Sequence, residues 1–129
     1  MAVYSSTRKH KQKKFTTAGI VHIKTTFNNT IITVSDLSGN VICWSSSGAS
    51  GLKGARKATA FAAQMAAKII TTKCIDLGLK KVEIILKGRG KGRDSSIRSL
   101  KQGGLRIISI EDKTRVPFNG CRPPKRRRL

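Results

Sequence analysis

Acidic residues are scarce in this 129-residue chain: 6 Asp and Glu stand against 27 Lys and Arg, a formal net charge of +21. A compact body with that imbalance repels itself unless a polyanion neutralises it. Nucleic acid is the first such counter-charge, because each neutralised phosphate also releases counterions; an anionic membrane surface is the second. The six acids (Asp36, Asp76, Glu83, Asp94, Glu111 and Asp112) form no evident cluster, so two-metal nuclease chemistry, which needs convergent carboxylates, has no visible site. Long apolar runs are missing too. Nothing approaches the roughly 20 residues of a spanning helix, and the polar, basic N-terminus has no apolar core of a secretory signal. The three cysteines, Cys43, Cys74 and Cys121, are odd in number and contain no C-x-x-C pair, which argues against a zinc site and for a reducing compartment. His10 and His22 add no metal pattern, and neither sits where a catalytic base would be expected. With four Phe, one Trp and one Tyr, base stacking is not the expected main mode of nucleic-acid binding.

What is present falls into three zones. Residues 1–17 form a basic arm, with Arg8, Lys9, Lys11, Lys13 and Lys14 and no acid, expected to be disordered when free. Residues 18–112 form a body that holds nearly all the apolar periodicity and every acid. Residues 113–129 form a second basic tail containing "RPPKRRRL".

Within the body, Val21, Ile23 and Phe27 alternate with His22, Lys24 and Thr26, which predicts a strand. Asn28-Asn29, residues that tolerate left-handed conformations, predict a tight turn into a second strand, "NTIITVSD". Ser38-Gly39-Asn40 turns the chain into a third, "VICWSS". Phe61, Met65 and Ile69, with Ala66, Ile70 and Cys74, recur every four residues and predict a main helix with a broad apolar face, stopped at Gly78. "KVEIILKG" is nearly continuous in apolar residues and predicts a strand buried on both faces. A shorter helix is expected over 95–102, with Asp94 as N-cap and Gly103-Gly104 as stop, followed by a last strand, "LRIISIED". The order β-β-β-α-β-α-β predicts one α/β domain. Its mixed five-stranded sheet, packed with two helices, has a ribonuclease-H-like layout in which the last strands are parallel neighbours. Layout alone supplies no chemistry, and no catalytic residue is expected.

Three stretches carry the candidate contacts. In "KGRGKGRDSSIRSL" (87–100) glycines alternate with cations between a strand and a helix, where a backbone can approach a phosphate. Gly88, Gly90 and Gly92 are spaced G-x-G-x-G, which fits neither the dinucleotide fingerprint nor a Walker loop, so no nucleotide cofactor is expected. With Lys87, Arg89, Lys91 and Arg93 they read as a loop laid against a nucleic-acid backbone; the alternative is a tight turn with solvated cations. The loop "SSGASGLKGARKAT" places Lys53, Arg56 and Lys57 just ahead of the main helix, as a second phosphate-gripping loop or an exposed linker. The tail adds Arg122, Lys125, Arg126, Arg127 and Arg128, kept extended by Pro123-Pro124. It reads as an arm threading into folded RNA, with a nuclear-localisation patch or a solvated charge run as the other readings. Asn119-Gly120 carries separate chemistry: the unhindered glycine nitrogen favours succinimide formation, and with it isoaspartate at Asn119. No Cys-His finger, zipper heptad or helix-turn-helix is evident, which favours folded RNA and leaves architectural DNA binding as the alternative.

Four stretches, "FNNTI" (27–31), "GLKGARKATAFAAQMAA" (51–67), "KGRGKGR" (87–93) with Ile97-Arg98, and "NGCRPPKRRR" (119–128), together resemble the small ribosomal subunit protein eleven family over nearly all of residues 18–129. The resemblance is to its bacterial and organellar branch. It implies a mixed α/β domain on the small-subunit platform, bound to small-subunit rRNA near the messenger exit. It also implies neighbouring platform proteins (those numbered six, eighteen and twenty-one), no homo-oligomer and no membrane. Carried onto this chain, rRNA contacts fall on Asn28, Asn29, Lys53, Arg56, Lys57, Lys87 to Arg93, Arg98, and Arg122 to Arg128. The chain departs from the family's usual pattern at Ala60, Arg89 and Arg115, where members have proline, and at Phe118, where they have histidine. Its Ile, Lys and Thr usage and "VICWSSSG" resemble plastid members, which places it in a chloroplast ribosome, with the bacterial cytoplasm or a mitochondrion as alternatives.

Overall fold

The computed structural model describes residues 17–128; the N-terminal arm expected over 1–17 therefore lies outside the described residues except for Thr17. Three antiparallel strands come first: β1 Ala18–Thr25, β2 Thr30–Ser35 and β3 Val41–Ser46. A short 3-10 turn at Gly54–Ala58 leads into α1 Ala60–Asp76, followed by β4 Lys81–Lys87, α2 Arg93–Gln102 and β5 Arg106–Asp112. The sheet order is β3-β2-β1-β4-β5, with β1–β4 and β4–β5 parallel, so the predicted five-stranded mixed sheet and its two helices are what forms.

Local chemistry explains the elements, and in four places corrects the sequence reading. The β1–β2 turn does not use left-handed asparagines. Asn119 is the one non-glycine residue with positive φ among those described. Instead the Thr26 hydroxyl accepts from the N–H groups of Asn28 (3.3 Å) and Asn29 (3.1 Å), a side-chain turn that leaves both asparagines in ordinary conformations. The β2–β3 turn closes on Asp36, whose carboxylate accepts from the Asn40 N–H at 2.8 Å, with Gly39 at φ 94°. α1 starts at Thr59, whose hydroxyl accepts from the Ala62 N–H at 3.2 Å. It ends as predicted before Gly78, at φ 87°. Its buried stripe is Ala62, Ala63, Ala66, Ala67, Ile70, Thr71 and Cys74; Phe61, assigned to the apolar face, is 60% exposed. The alanines let α1 lie close on the sheet, and the bulkier Phe61 belongs to the outer side of the first turn. α2 begins two residues before the predicted start, and its N-cap is Gly92, not Asp94. Asp94 sits exposed in the first turn, where its charge still complements the helix dipole.

The core lies between one face of the sheet and the two helices. Val21, Ile23, Ile32, Val34, Val82, Ile84 and Leu86 pack there against Ala66, Ala67, Ile70 and Leu100. Gly103 passes so close to Thr71 that a β-carbon there would lie 2.0 Å from its methyl group, which brings α2 onto α1. No helix among the described residues covers the opposite face. β4 is therefore buried on one side only: Val82, Ile84 and Leu86 are enclosed, while Glu83 and Ile85 are half-buried beside Ile20 and His22. The expectation of two covered faces fails because both crossover helices pack on the same side. Removal from water first, then the nearby Lys87 and Lys113 charges, lower the His22 imidazole below its ordinary range; its Nε2 lies 3.2 Å from Ser35 Oγ.

Candidate nucleic-acid interface

β1, β3, β4 and β5 run in the same direction, so the segments that follow all four emerge at one edge of the sheet. Both helices also begin at that edge, and a β-carbon on Gly92 would lie 2.6 Å from that of Ala63 in the first turn of α1. Asn28 and Asn29, the loop with Lys53, Arg56 and Lys57, the glycine loop and the start of the tail are thus brought to a single rim, although they are scattered through the chain. The positive ends of two helix dipoles reinforce the cations there.

The glycine loop is built by close approach to the chain itself. A β-carbon on Gly88 would lie 1.9 Å from the Thr25 carbonyl oxygen; one on Gly90 would lie 2.7 Å from Thr25 Cβ; one on Gly92 would lie 2.5 Å from Thr30 Oγ1. The Gly90 N–H donates to Thr25 Oγ1 (3.1 Å) and the Gly88 N–H to Thr114 Oγ1 (3.1 Å). The glycines therefore face inward, and the N–H groups of Gly88 and Gly90 are already used within the chain. Lys87, Arg89 and Lys91, which alternate with them, all point into solvent and remain exposed. These hydrogen bonds and contacts hold the turn around Arg89.

Arg93 plays a different part from its neighbours. Its guanidinium donates to the Asp112 carboxylate at 2.5 Å, and Asp112 also accepts from the Thr114 hydroxyl (2.6 Å) and N–H (3.0 Å). Those two Thr114 hydrogen bonds, helped by Arg93, hold the Asp112 carboxyl well below its ordinary range, at about 2. One carboxylate thus ties the start of α2 to the root of the tail, and Thr114 carries the tie on to Gly88.

From that root the tail runs outward with every residue from 115 to 128 exposed, including Arg122, Lys125, Arg126, Arg127 and Arg128. A family profile described as Ribosomal protein S11 matches residues 19–128, from β1 through that tail. The chain belongs to the ribosomal protein S11 family. The small ribosomal subunit protein uS11c of Phaeodactylum tricornutum is 55% identical over 119 residues, which cover 92% of this chain and 92% of that protein.

In this S11-family chain Lys53 and Arg56 are exposed, Lys57 is half-buried with its stem against Gly48, and Arg98 projects from α2 into solvent. Sequence reading missed Thr25, Thr114 and Asp112, which position the cations without joining them. No local signal could have found Thr25, since its partner Gly90 lies 65 positions away. It also missed a hollow of about 410 Å³ between the β1–β2 turn and the tail root, where Phe27, Val116 and Pro117 lie beside Arg89 and Arg115. Asn119 has φ 50°, in the left-handed region, next to Gly120.

Proposed function

We propose that this chain is a structural constituent of the small ribosomal subunit that binds small-subunit rRNA through the rim where its strands end. The convergence of the loops after β1, β3, β4 and β5 on one edge carries this reading. Lys53, Arg56, Lys57, Lys87, Arg89, Lys91 and the root of the basic tail gather there, while of the acids at that edge Asp112 is bound to Arg93 and Glu111 lies 3.8 Å from Lys113. Exposed cations set on a rigid sheet edge match phosphate and shape recognition, in which backbone contacts fix position. The tail reaches beyond the body as an arm, and its density of charge suits a groove lined by several phosphates.

The finer assignment rests on the family. On that basis we infer a position on the platform near the messenger exit, beside proteins six, eighteen and twenty-one, and a role in assembly and translation without catalysis; membership of the S11 family supports this reading. The designation uS11c of the Phaeodactylum tricornutum relative carries the plastid suffix, which supports a chloroplast ribosome. Sedimentation of a native organelle extract tests the reading: the chain is expected with the small subunit after a moderate-salt wash. Recovery as free protein, or on chromosomal DNA, would overturn it.

A further inference from the structure

Two of the cysteines stand away from the basic rim and face each other. Cys43 lies on β3 opposite Val34, on the side of the sheet that α1 covers, and Cys74 lies in the last turn of α1. Cys74 is fully buried in the core, and the half-buried Cys43 packs against the same cluster. The two side chains interact across the packing of β3 against α1, and both are free thiols. A cavity of about 420 Å³ opens beside them, lined by Cys43, Ile69, Lys73 and Trp44; Cys74 does not line it. A small molecule therefore reaches one sulfur and not the other. The hydrogen bond from Cys74, aided by the Lys73 ammonium and opposed by desolvation, draws the Cys43 thiol below its ordinary range; the same bond and burial push Cys74 up.

We propose that Cys43 and Cys74 form a thiol–disulfide exchange site for low-molecular-weight disulfides, in which the accessible sulfur attacks and the buried one resolves. The Cys43 thiolate attacks one sulfur of a disulfide such as oxidised glutathione; that S–S bond breaks and one thiolate leaves. Cys74 then gives up its proton and attacks Cys43 Sγ, expelling the second thiolate. Two protein thiols are oxidised, one small disulfide is reduced, and the two protons end on the two released thiols. The product is a covalent tie between β3 and the end of α1, and excess thiol reverses it. Cys121 lies exposed on the tail without such a partner and stops at the mixed disulfide.

The test exposes the full-length chain to oxidised glutathione, blocks remaining thiols with N-ethylmaleimide and maps unreduced tryptic peptides. Residues 25–53 carry Cys43, 74–80 carry Cys74 and 116–125 carry Cys121. The expected product is 25–53 linked to 74–80, lost on treatment with dithiothreitol, with glutathione left on 116–125. Cys74→Ser is expected to trap glutathione on Cys43, and Cys43→Ser to leave Cys74 unmodified when Cys121 has fully reacted. Full adduct on Cys121 with Cys43 and Cys74 both recovered as free thiols would overturn the proposal. So would modification of Cys74 at the same rate in Cys43→Ser as in the parent chain, which would show that Cys43 is not the point of attack.

Discussion

Replacing Gly88 by alanine separates two explanations of the glycine loop. Gly88 and Gly39 have nearly the same φ, 95° and 94°, so alanine meets the same backbone strain at both. That strain costs roughly 1–2 kcal/mol for a left-handed L-residue. The surroundings differ: nothing lies within 4 Å of the added β-carbon at Gly39, whereas at Gly88 it would sit 1.9 Å from the Thr25 carbonyl oxygen. Displacing that carbonyl adds an overpacking cost of roughly 1–3 kcal/mol. Gly88→Ala should therefore lose roughly 2–5 kcal/mol in all, and Gly39→Ala only the strain. Denaturant unfolding of the full-length chain without RNA reads the difference directly. Equal losses at the two sites would refute the inward-packing account. So would a Gly88→Ala chain that folds as well as Gly39→Ala and fails only in RNA binding, because the glycine would then be there for the phosphate.

Other consequences follow from the same geometry. Changing Lys87, Arg89 and Lys91 together to glutamine should leave unfolding unchanged and weaken binding to small-subunit rRNA, with the log–log salt slope reduced by about 2 to 3; an unchanged slope in a salt titration would remove them from the interface. Asp112 has its carboxyl lowered, so its stabilisation is present above the ordinary aspartate range and is lost as pH falls from about 3.8 to about 2. Asp112→Asn should be less stable than the parent at neutral pH and lack that part of the acid transition, and a parent-like acid limb would contradict the assignment. At Asn119, isoaspartyl methyltransferase should label the aged parent chain and not Asn119→Gln; equal labelling would place the isoaspartate elsewhere.

The five strands and both helices were legible because each rests on local periodicity: alternation in β1, a four-residue recurrence in α1, glycines at the ends of both helices. The misreadings share a cause. Thr26 and not the asparagines makes the first turn, because a hydroxyl two residues upstream reaches their N–H groups. Asp94 has the right chemistry for a cap, but Gly92 is held at the cap position by its close contacts with Thr30 and Ala63, which are distant in the chain. The continuous apolar run of β4 reads as doubly buried, and only the path of both crossovers over one face shows otherwise. At the interface, the cations were visible as a pattern. Their division into exposed Lys87, Arg89 and Lys91 and an engaged Arg93 was not, since it depends on Asp112 from another strand.

The central claim is that one edge of the sheet faces RNA, and lysine acylation of intact small subunits compared with the free chain tests it most directly. Lys53, Lys57, Lys87, Lys91 and Lys125 should be protected in the subunit. Lys73, Lys80 and Lys101, which lie toward the opposite edge at the helix ends and the start of β4, should stay reactive. Protection of the second set with continued reactivity of the first would contradict the account.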